Sequence, residues 1–423
     1  MDLTERMSSL SLNSGGLTDD QQKAYDIFTQ KKSMLVCGGG GNGKSFLIRK
    51  LVYNCINSYI DYVVCSTTGT SAVNINGRTL HSVFGLKPDT KDYEGHATKI
   101  MSETKMKMIH TKLKRVRVII LDEVSMLDDV LCEGISTILK IIKFSNQPFG
   151  GVQMVFVGDL FQLPPVANKY CFLSKSWNEL KPSVVELKTV VRQAGDTLFQ
   201  NILHEVRYGE VSDETYKLLE ELKNTKFPDH IVPTKLYPVN VAVDNINNLE
   251  LEKLKALGNQ SVMYKPTFTN IVPKAQESMC KDYTVDLCIG AQVMVIRNIN
   301  LDANLVNGSR GVVKNLSNKS ATIQTLDGSI HTISYAKDEL DNKKSVSFLP
   351  LKLAYAITIH KSQGATLDAI EIDLGKDIFQ CGQAYTGLSR AKTMKNIRIT
   401  NLCKGVWKTD PLVLEWLRIN KLK

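Results

Sequence analysis

The sequence predicts an α/β protein of two parallel-sheet domains, the second interrupted by a small β-barrel. Three observations predict it. Apolar runs of strand length alternate with helical stretches, a strand, a glycine loop and a helix follow one another near residue 40, and compact β-rich runs crowd residues 290–333. Strand–helix alternation is what a parallel sheet requires, since each crossover helix packs back onto a sheet face. The length of 423 residues exceeds one ordinary core and accommodates about two to four domains.

Taken in order, residues 1–16 are Ser- and Gly-rich, end in Gly15-Gly16 and read as a flexible tail. The first domain is expected over 17–185. An amphipathic helix from Asp19 to about Gln30 leads to a strand at Ser33–Cys37, the glycine loop, and a helix over Ser45–Tyr59. Further strands are predicted at Tyr62–Ser66, Val116–Leu121 and Val152–Val157. Between them, residues 87–113 are rich in Lys, Asp and Glu, show no core periodicity and read as a small surface insertion.

The second domain is expected over 186–423. Past Lys181-Pro182 it begins with helices, continues into a strand region at 232–243, and loosens around Pro266 and Pro273. The barrel insertion spans about 270–348, with runs at Gln292–Ile296, Gly311–Lys314, Ser320–Gln324 and Ile330–Ser334. Asn307-Gly308 and Asp327-Gly328 supply the hairpin turns. Strands at Val346–Leu353, Ala369–Leu374 and Ile397–Thr400 return to the parent sheet.

A composition of 43% hydrophobic and 23% charged residues excludes disordered and fibrous classes. The net charge of +10 favours a polyanionic partner, and nucleic acid, a membrane surface or plain solubility all satisfy it. Nine cysteines occur singly, with no C-x-x-C pair, which points away from zinc sites and disulfide frameworks and towards a reducing compartment. With no signal peptide or bilayer-spanning run, the chain reads as soluble and intracellular, whether in nucleus, cytoplasm or a viral replication site.

The chemistry is carried first by Gly38-Gly39-Gly40-Gly41-Asn42-Gly43-Lys44-Ser45. It follows a predicted strand and opens a helix, the context a phosphate-binding loop needs. Glycines let backbone N–H groups close on a β-phosphate, Lys44 places a point charge between β- and γ-phosphates, and the Ser45 hydroxyl can ligate Mg²⁺. A glycine-rich turn alone would not require Lys and Ser at those offsets.

Hydrolysis of ATP further demands a second Mg²⁺ anchor and an oriented water. Asp122-Glu123 ends the apolar run 116–121 at the carboxyl edge of the sheet, so Asp122 is assigned to Mg²⁺ through water and Glu123 to the general base. A third buried strand delivers Gln162 ahead of the rigid Pro164-Pro165, where its amide either senses a γ-phosphate or caps a loop.

These motifs and their order resemble superfamily-one helicases of the RecD-like, petite-integration-frequency (Pif) type, from Leu17 to about Lys392. The resemblance is carried by Leu17-Thr18-Asp19-Asp20-Gln21, GGGGNGKS, CSTTGTSA at 65–72, TLHSVFG at 79–85, LDEVSML at 121–127 and PFGGVQMVFVGDLFQLPPV at 148–166. Val191-Arg192-Gln193, LVNGSRGVV at 305–313, LAYAITIHKSQGATLD at 353–368 and GQAYTGLSRA at 382–391 complete it. It implies two RecA-like domains with ATP in the cleft between them, a Src-homology-three-like barrel in the second, and a strand-separating pin at 87–113. A basic signature expected upstream of PFGG is missing from residues 134–140, which weakens any structure-specific role for that segment.

By the same resemblance Gln21 reads adenine, Gln363 and Gly364 join the nucleotide site, and Arg192 and Arg390 reach the γ-phosphate from the second domain. Single-stranded DNA is contacted by Thr67, Thr68, Thr79, His81, Ser82 and Phe84 in the first domain, Phe84 by stacking on a base. Thr358, His360, Lys361 and Ser362 serve from the second. Without the family frame, each His is as readily structural and each Arg an ion-pair residue.

The leading expectation is a monomeric ATP-dependent helicase that runs 5′-to-3′ on single-stranded DNA and opens forked or tailed duplex in replication, repair or recombination. A translocase without unwinding, or an RNA-preferring helicase, competes with it. A nucleotide-switched binding module is the reading from another class, and the joint presence of Lys44, Asp122, Glu123, Gln162, Arg192 and Arg390 argues against it.

Overall fold

The computed structural model describes residues 16–420 apart from 88, 167–168, 191–194, 228–232, 270–282, 298, 301–304, 306–308, 326–327, 342–343 and 368. The expected tail up to residue 15, the Val191-Arg192-Gln193 motif, Pro273 and the Asn307-Gly308 turn lie outside the described residues. Contacts gather the chain into two compact units, one built from residues up to Lys226, 363–368 and from Leu374 onward, the other from 227–362 and 369–373.

The first unit opens with α1 (Asp19–Thr29), β1 (Met34–Gly38), α2 (Lys44–Asn57), β2 (Tyr62–Ser66), α3 (Gly69–Asn74), β3 (Arg78–Thr79) and α4 (Leu80–Phe84). It continues with α5 (Tyr93–Ser102), α6 (Lys107–Arg115), β4 (Val118–Asp122), α7 (Asp129–Lys143), β5 (Gln153–Gly158), α8 (Lys175–Leu180), β6 (Ser183–Leu187), α9 (Thr197–Tyr208) and α10 (Asp213–Glu221). All six strands pair in parallel, in the order β3-β2-β4-β5-β1-β6. Strands β1 and β4 are buried at every position, which explains their unbroken apolar sequences: a parallel strand covered on both faces has no polar side. Thr18 starts α1 with a reciprocal capping box to Gln21, and Asp128 caps α7 by accepting from the Leu131 N–H at 2.6 Å.

Residues 87–113 depart from the expected surface insertion without periodicity. They form α5 and α6, which bury Ala97, Ile100 and Leu113, and α5 packs on α7. A Cβ at Gly134 would stand 2.4 Å from the Tyr93 ring, so a glycine in α7 is what admits α5. High charge masked the pattern, because only three positions of the two helices are fully buried.

The second unit contains β7 (Thr234–Tyr237), α11 (Asn240–Ala256), β8 (Ser261–Tyr264), β9 (Thr267–Thr269), β10 (Val285–Cys288), β11 (Gln292–Val295), β12 (Arg310–Leu316) and β13 (Ser320–Thr325). It ends with β14 (Ile330–Ser334), β15 (Ala336–Asp341), β16 (Lys344–Phe348), β17 (Leu351–Leu353), β18 (Ala356–Thr358) and β19 (Ile370–Leu374). The strand region expected over 232–243 is corrected: only β7 is extended, and past Pro238 the chain turns helical. Its valines mimic a strand, but burial at Val243, Asn247 and Leu251 follows the four-residue spacing of a helix. The single strand expected at 346–353 is two, broken at Leu349-Pro350 and divided between different sheets. Antiparallel order β14-β13-β12-β11-β17 and the ribbon β15-β16-β9 make up the β insertion, while β7 pairs in parallel with β18 and β19.

The chain then re-enters the first unit with α12 (Gln383–Leu388), β20 (Ile397–Leu402) and α13 (Pro411–Ile419). Among the described residues no helix is long and apolar enough to cross a membrane.

Candidate functional site

Parallel strands all end at one edge, and the buried carboxylates of the first unit, Asp122, Glu123 and Asp159, stand there. The loop after β1 wraps the start of α2, with Gly41 at φ 95° and Gly43 at φ 76°, backbone angles that side chains with a Cβ rarely adopt. Asn42 is buried and donates through Nδ2 to the Leu187 carbonyl at 2.6 Å, which pins the loop to β6. Lys44 Nζ donates to the Gly38 and Gly39 carbonyls, each at 2.8 Å, so its charge is held across the loop. Ser45 follows in the first turn of α2.

Two strands away, β4 ends at Asp122, and Glu123 turns into the left-handed region at φ 56°, ψ 47°. Both side chains are buried. Asp122 Oδ2 accepts from Ser71 Oγ at 2.6 Å, and burial, then the neighbouring charge of Glu123, raises its pKa from 3.8 to about 7. Glu123 Oε2 accepts from Gln363 Nε2 at 3.1 Å, and the same amide nitrogen reaches Ser125 Oγ at 3.3 Å. The amide oxygens of Gln162 and Gln363 are buried without a hydrogen-bond partner among the described residues. A buried acceptor left open is costly unless water or a ligand supplies a donor. Two adjacent buried carboxyl groups, one of them reluctant to ionise, likewise suit a divalent cation, and Asp122 and Ser45 are the residues able to hold Mg²⁺.

Arg390 is buried and donates to the Thr386 carbonyl (Nε, 2.8 Å), the Ala365 carbonyl (Nη1, 3.3 Å) and Ser389 Oγ (Nη2, 2.7 Å). Burial lowers its pKa, and the charge of Glu123 works in the opposite sense. Gln21, assigned to adenine, closes the α1 capping box and directs Nε2 to the Gly43 carbonyl at 3.5 Å. Gly364 takes φ 77° and its carbonyl accepts from Asn74 Nδ2. Arg192 lies outside the described residues.

Most hydroxyls expected at DNA are engaged in the fold. Thr67 Oγ1 donates to the Glu123 carbonyl at 2.8 Å, Thr68 Oγ1 accepts from the Ser71 N–H, and Thr79 caps α4 by accepting from the Ser82 N–H. Ser82 is exposed; His81 is half-buried, and burial lowers its pKa against the pull of Asp128. Phe84 requires a correction, since its ring is fully buried in the core and has no face open to a base. In the second unit Thr358 and Ser362 are buried, Ser362 Oγ donating to the Ile359 carbonyl, while His360 is half-buried and Lys361 exposed.

Sequence reasoning missed a buried ion pair beside the loop. Asp159, directly after β5 as Asp122 ends β4, accepts from Arg207 Nε at 3.2 Å and Nη2 at 3.0 Å. Burial opposes the Arg207 charge, and its neighbours, Asp159 foremost, together more than offset it, leaving the guanidinium held firmly protonated. The Tyr385 hydroxyl donates to Asp159 Oδ2 at 2.8 Å. A cavity of about 360 Å³ opens next to them, lined by Gly39, Gly40, Arg207, Tyr208 and Tyr385 among others. The strand-end position of Asp159 and the place of Tyr385 inside GQAYTGLSRA were the available signals; Arg207, 48 residues from Asp159, gave none.

Comparison with known proteins agrees with this geometry. The model of the PIF1-like helicase family matches residues 16–217, and that of the DNA helicase Pif1 2B domain matches residues 283–316. The chain is 30% identical over 420 residues to the ATP-dependent DNA helicase Pif1 of Bdellovibrio bacteriovorus, covering 95% of this chain and 92% of that one. It is 29% identical to the human ATP-dependent DNA helicase PIF1 over 95% of its own length, but spans 63% of the human protein. The crystal structure of Pif1 helicase from Candida albicans superimposes with a TM-score of 0.87 at 30% identity, covering 96% of this chain and 99% of that one. Bacteroides Pif1 bound to ssDNA gives 0.77 at 28% identity, with coverage of 96% and 98%. The fold is therefore that of two RecA-like parallel-sheet domains with a small β insertion. A phosphate-loop strand, an Asp-Glu strand end and a 2B segment in one chain, matched along nearly its whole length, establish that this protein belongs to the PIF1-like helicase family.

Proposed function

We propose that this chain is an ATP-dependent DNA helicase that moves 5′-to-3′ on single-stranded DNA and unwinds forked or tailed duplex, acting inside the cell as a monomeric core in replication, repair or recombination. The observation that carries the reading is the buried Asp122-Glu123 pair at the same sheet edge as a Lys44 held across its glycine loop. The names of the matched relatives, ATP-dependent DNA helicases, and a Pif1 bound to ssDNA support the extension to nucleic acid.

In this reading the loop amides from Gly38 to Ser45 bind the phosphates, and Lys44 exchanges its loop carbonyls for β- and γ-phosphate oxygens. Asp122 and Ser45 hold Mg²⁺, which when bound draws charge from the phosphate oxygens. Glu123 takes the proton of the attacking water, with Gln363 orienting its carboxylate, and Gln162 presents its open amide oxygen to that water. Arg390 and Arg192 stabilise the charge on the γ-phosphate, while Gln21 and Gly364 border the nucleotide.

Domains at 17–185 and 186–423, the latter with a barrel at 270–348, belong to the same proposal. So do strand contacts from His81, Ser82, His360 and Lys361, with Thr67, Thr68, Thr79, Thr358 and Ser362 shaping the backbone that presents them. Adding single-stranded DNA should raise ATP hydrolysis many-fold, and a fluorescent fork with a 5′ tail should be opened in preference to one with a 3′ tail. Hydrolysis indifferent to DNA overturns the motor, and strict 3′-tail dependence overturns the polarity.

A further inference from the structure

The loop glycines differ in what requires them. Gly41 and Gly43 are fixed by their positive φ, whereas Gly39 and Gly40 have no such angle. A Cβ at Gly39 would stand 3.2 Å from the Tyr385 hydroxyl, and one at Gly40 would stand 3.2 Å from Ser389 Cβ. Close approach of α12 and the residues after it leaves little room for a side chain there.

That approach is bonded as well as packed. The Gly40 N–H donates to the Tyr385 hydroxyl at 3.2 Å, the hydroxyl donates to Asp159 at 2.8 Å, and Asp159 holds Arg207. Tyr385 and Asp159 are both buried, so water does not readily replace either partner. A loop amide of the kind that binds phosphate is thus already taken by a side chain on the helix that leads into Arg390. A phosphate oxygen is the stronger acceptor, since charge-assisted hydrogen bonds are about twice as strong as neutral ones.

We propose that Tyr385 is a positioning residue whose hydroxyl yields the Gly40 amide to the terminal phosphate of a nucleoside triphosphate, so that the exchange frees α12 to bring Arg390 onto that phosphate. The inference rests on the ATP reading above. A diphosphate, lacking the terminal group, leaves the latch closed. The hydroxyl therefore makes the Arg390 segment respond to whether the nucleotide is spent.

Titration of the full chain with mant-labelled AMP-PNP and mant-ADP, before and after Tyr385→Phe, tests this. Removing the competing acceptor should tighten AMP-PNP about fivefold while ADP shifts less than about twofold, the size expected for one hydrogen bond. In steady-state hydrolysis with single-stranded DNA, KM for ATP should fall and kcat should fall with it. Equal titrations for both proteins, or both nucleotides weakened alike, overturn the latch. A wild-type chain that binds neither nucleotide overturns the ATP reading instead. Should the Phe protein not fold, Tyr385→3-fluorotyrosine keeps the ring and weakens the acceptor. It should tighten AMP-PNP alone, by less, and an unchanged ratio of the two affinities overturns the proposal.

Discussion

The parallel sheet of the first unit and the antiparallel sheets of the second are both built on apolar cores, yet they treat charge differently. Six charged residues are buried among those described, and five of them, Asp122, Glu123, Asp159, Arg207 and Arg390, belong to the first unit; Glu371 is the sixth. Parallel strands deliver their last residues to a single edge, where side chains from several strands meet. Antiparallel strands send alternate ends to opposite edges, so neighbours on a hairpin cannot converge in this way. The first architecture concentrates chemistry and the second provides framework.

The sharpest way to break that contrast is to compare activity across it. Lys44→Ala or Glu123→Gln should cut ATP turnover on the order of 10³-fold, as removal of a charge-stabilising or proton-accepting group does. Ile323→Ala, in the core of β13, should leave turnover per folded molecule within about threefold while costing about 2–5 kcal/mol of stability, measured by urea unfolding. Loss of turnover in a folded Ile323 variant would mean that the β framework takes part in the chemistry.

Asp122 separates the two units through pH. Its pKa is raised from 3.8 in the unfolded chain to about 7, so the stability it contributes is complete below the lower value and lost as pH rises through the upper one. Between pH 6 and pH 8 the wild-type melting temperature should fall by a few degrees more than that of Asp122→Asn, and Mg²⁺ should recover that loss at pH 8. Parallel melting curves would show that Asp122 is not the residue titrating. The smallest effect is expected at Asp128, whose removal as the α7 cap in Asp128→Ala should cost about 1 kcal/mol with activity kept.

What the sequence revealed follows the range of the forces involved. Strands β1, β4 and β5 fall within about two residues of their predicted boundaries, because a buried strand writes its burial into consecutive apolar positions, while the only partly buried β2 and β14 fall on theirs. The loop, Asp122-Glu123 and Gln162 were visible for the same reason: each is local to a strand end. Helix α11 was read as a strand because β-branched residues at its start outweighed a sparse periodicity. Phe84 was misplaced because an aromatic residue inside a motif looks the same whether its ring faces solvent or the core. The Asp159–Arg207–Tyr385 network joins distant segments by tertiary packing alone, and no local pattern announces it.

Glu123 stands where the backbone favours glycine. Replacement by glycine would relax φ and delete the carboxylate in one substitution, so a screen that rewards heat resistance alone would enrich inactive protein at this position. Thermostabilised variants of this chain therefore need selection for turnover in every round, since relaxing the backbone at the edge of β4 would also delete the proposed base.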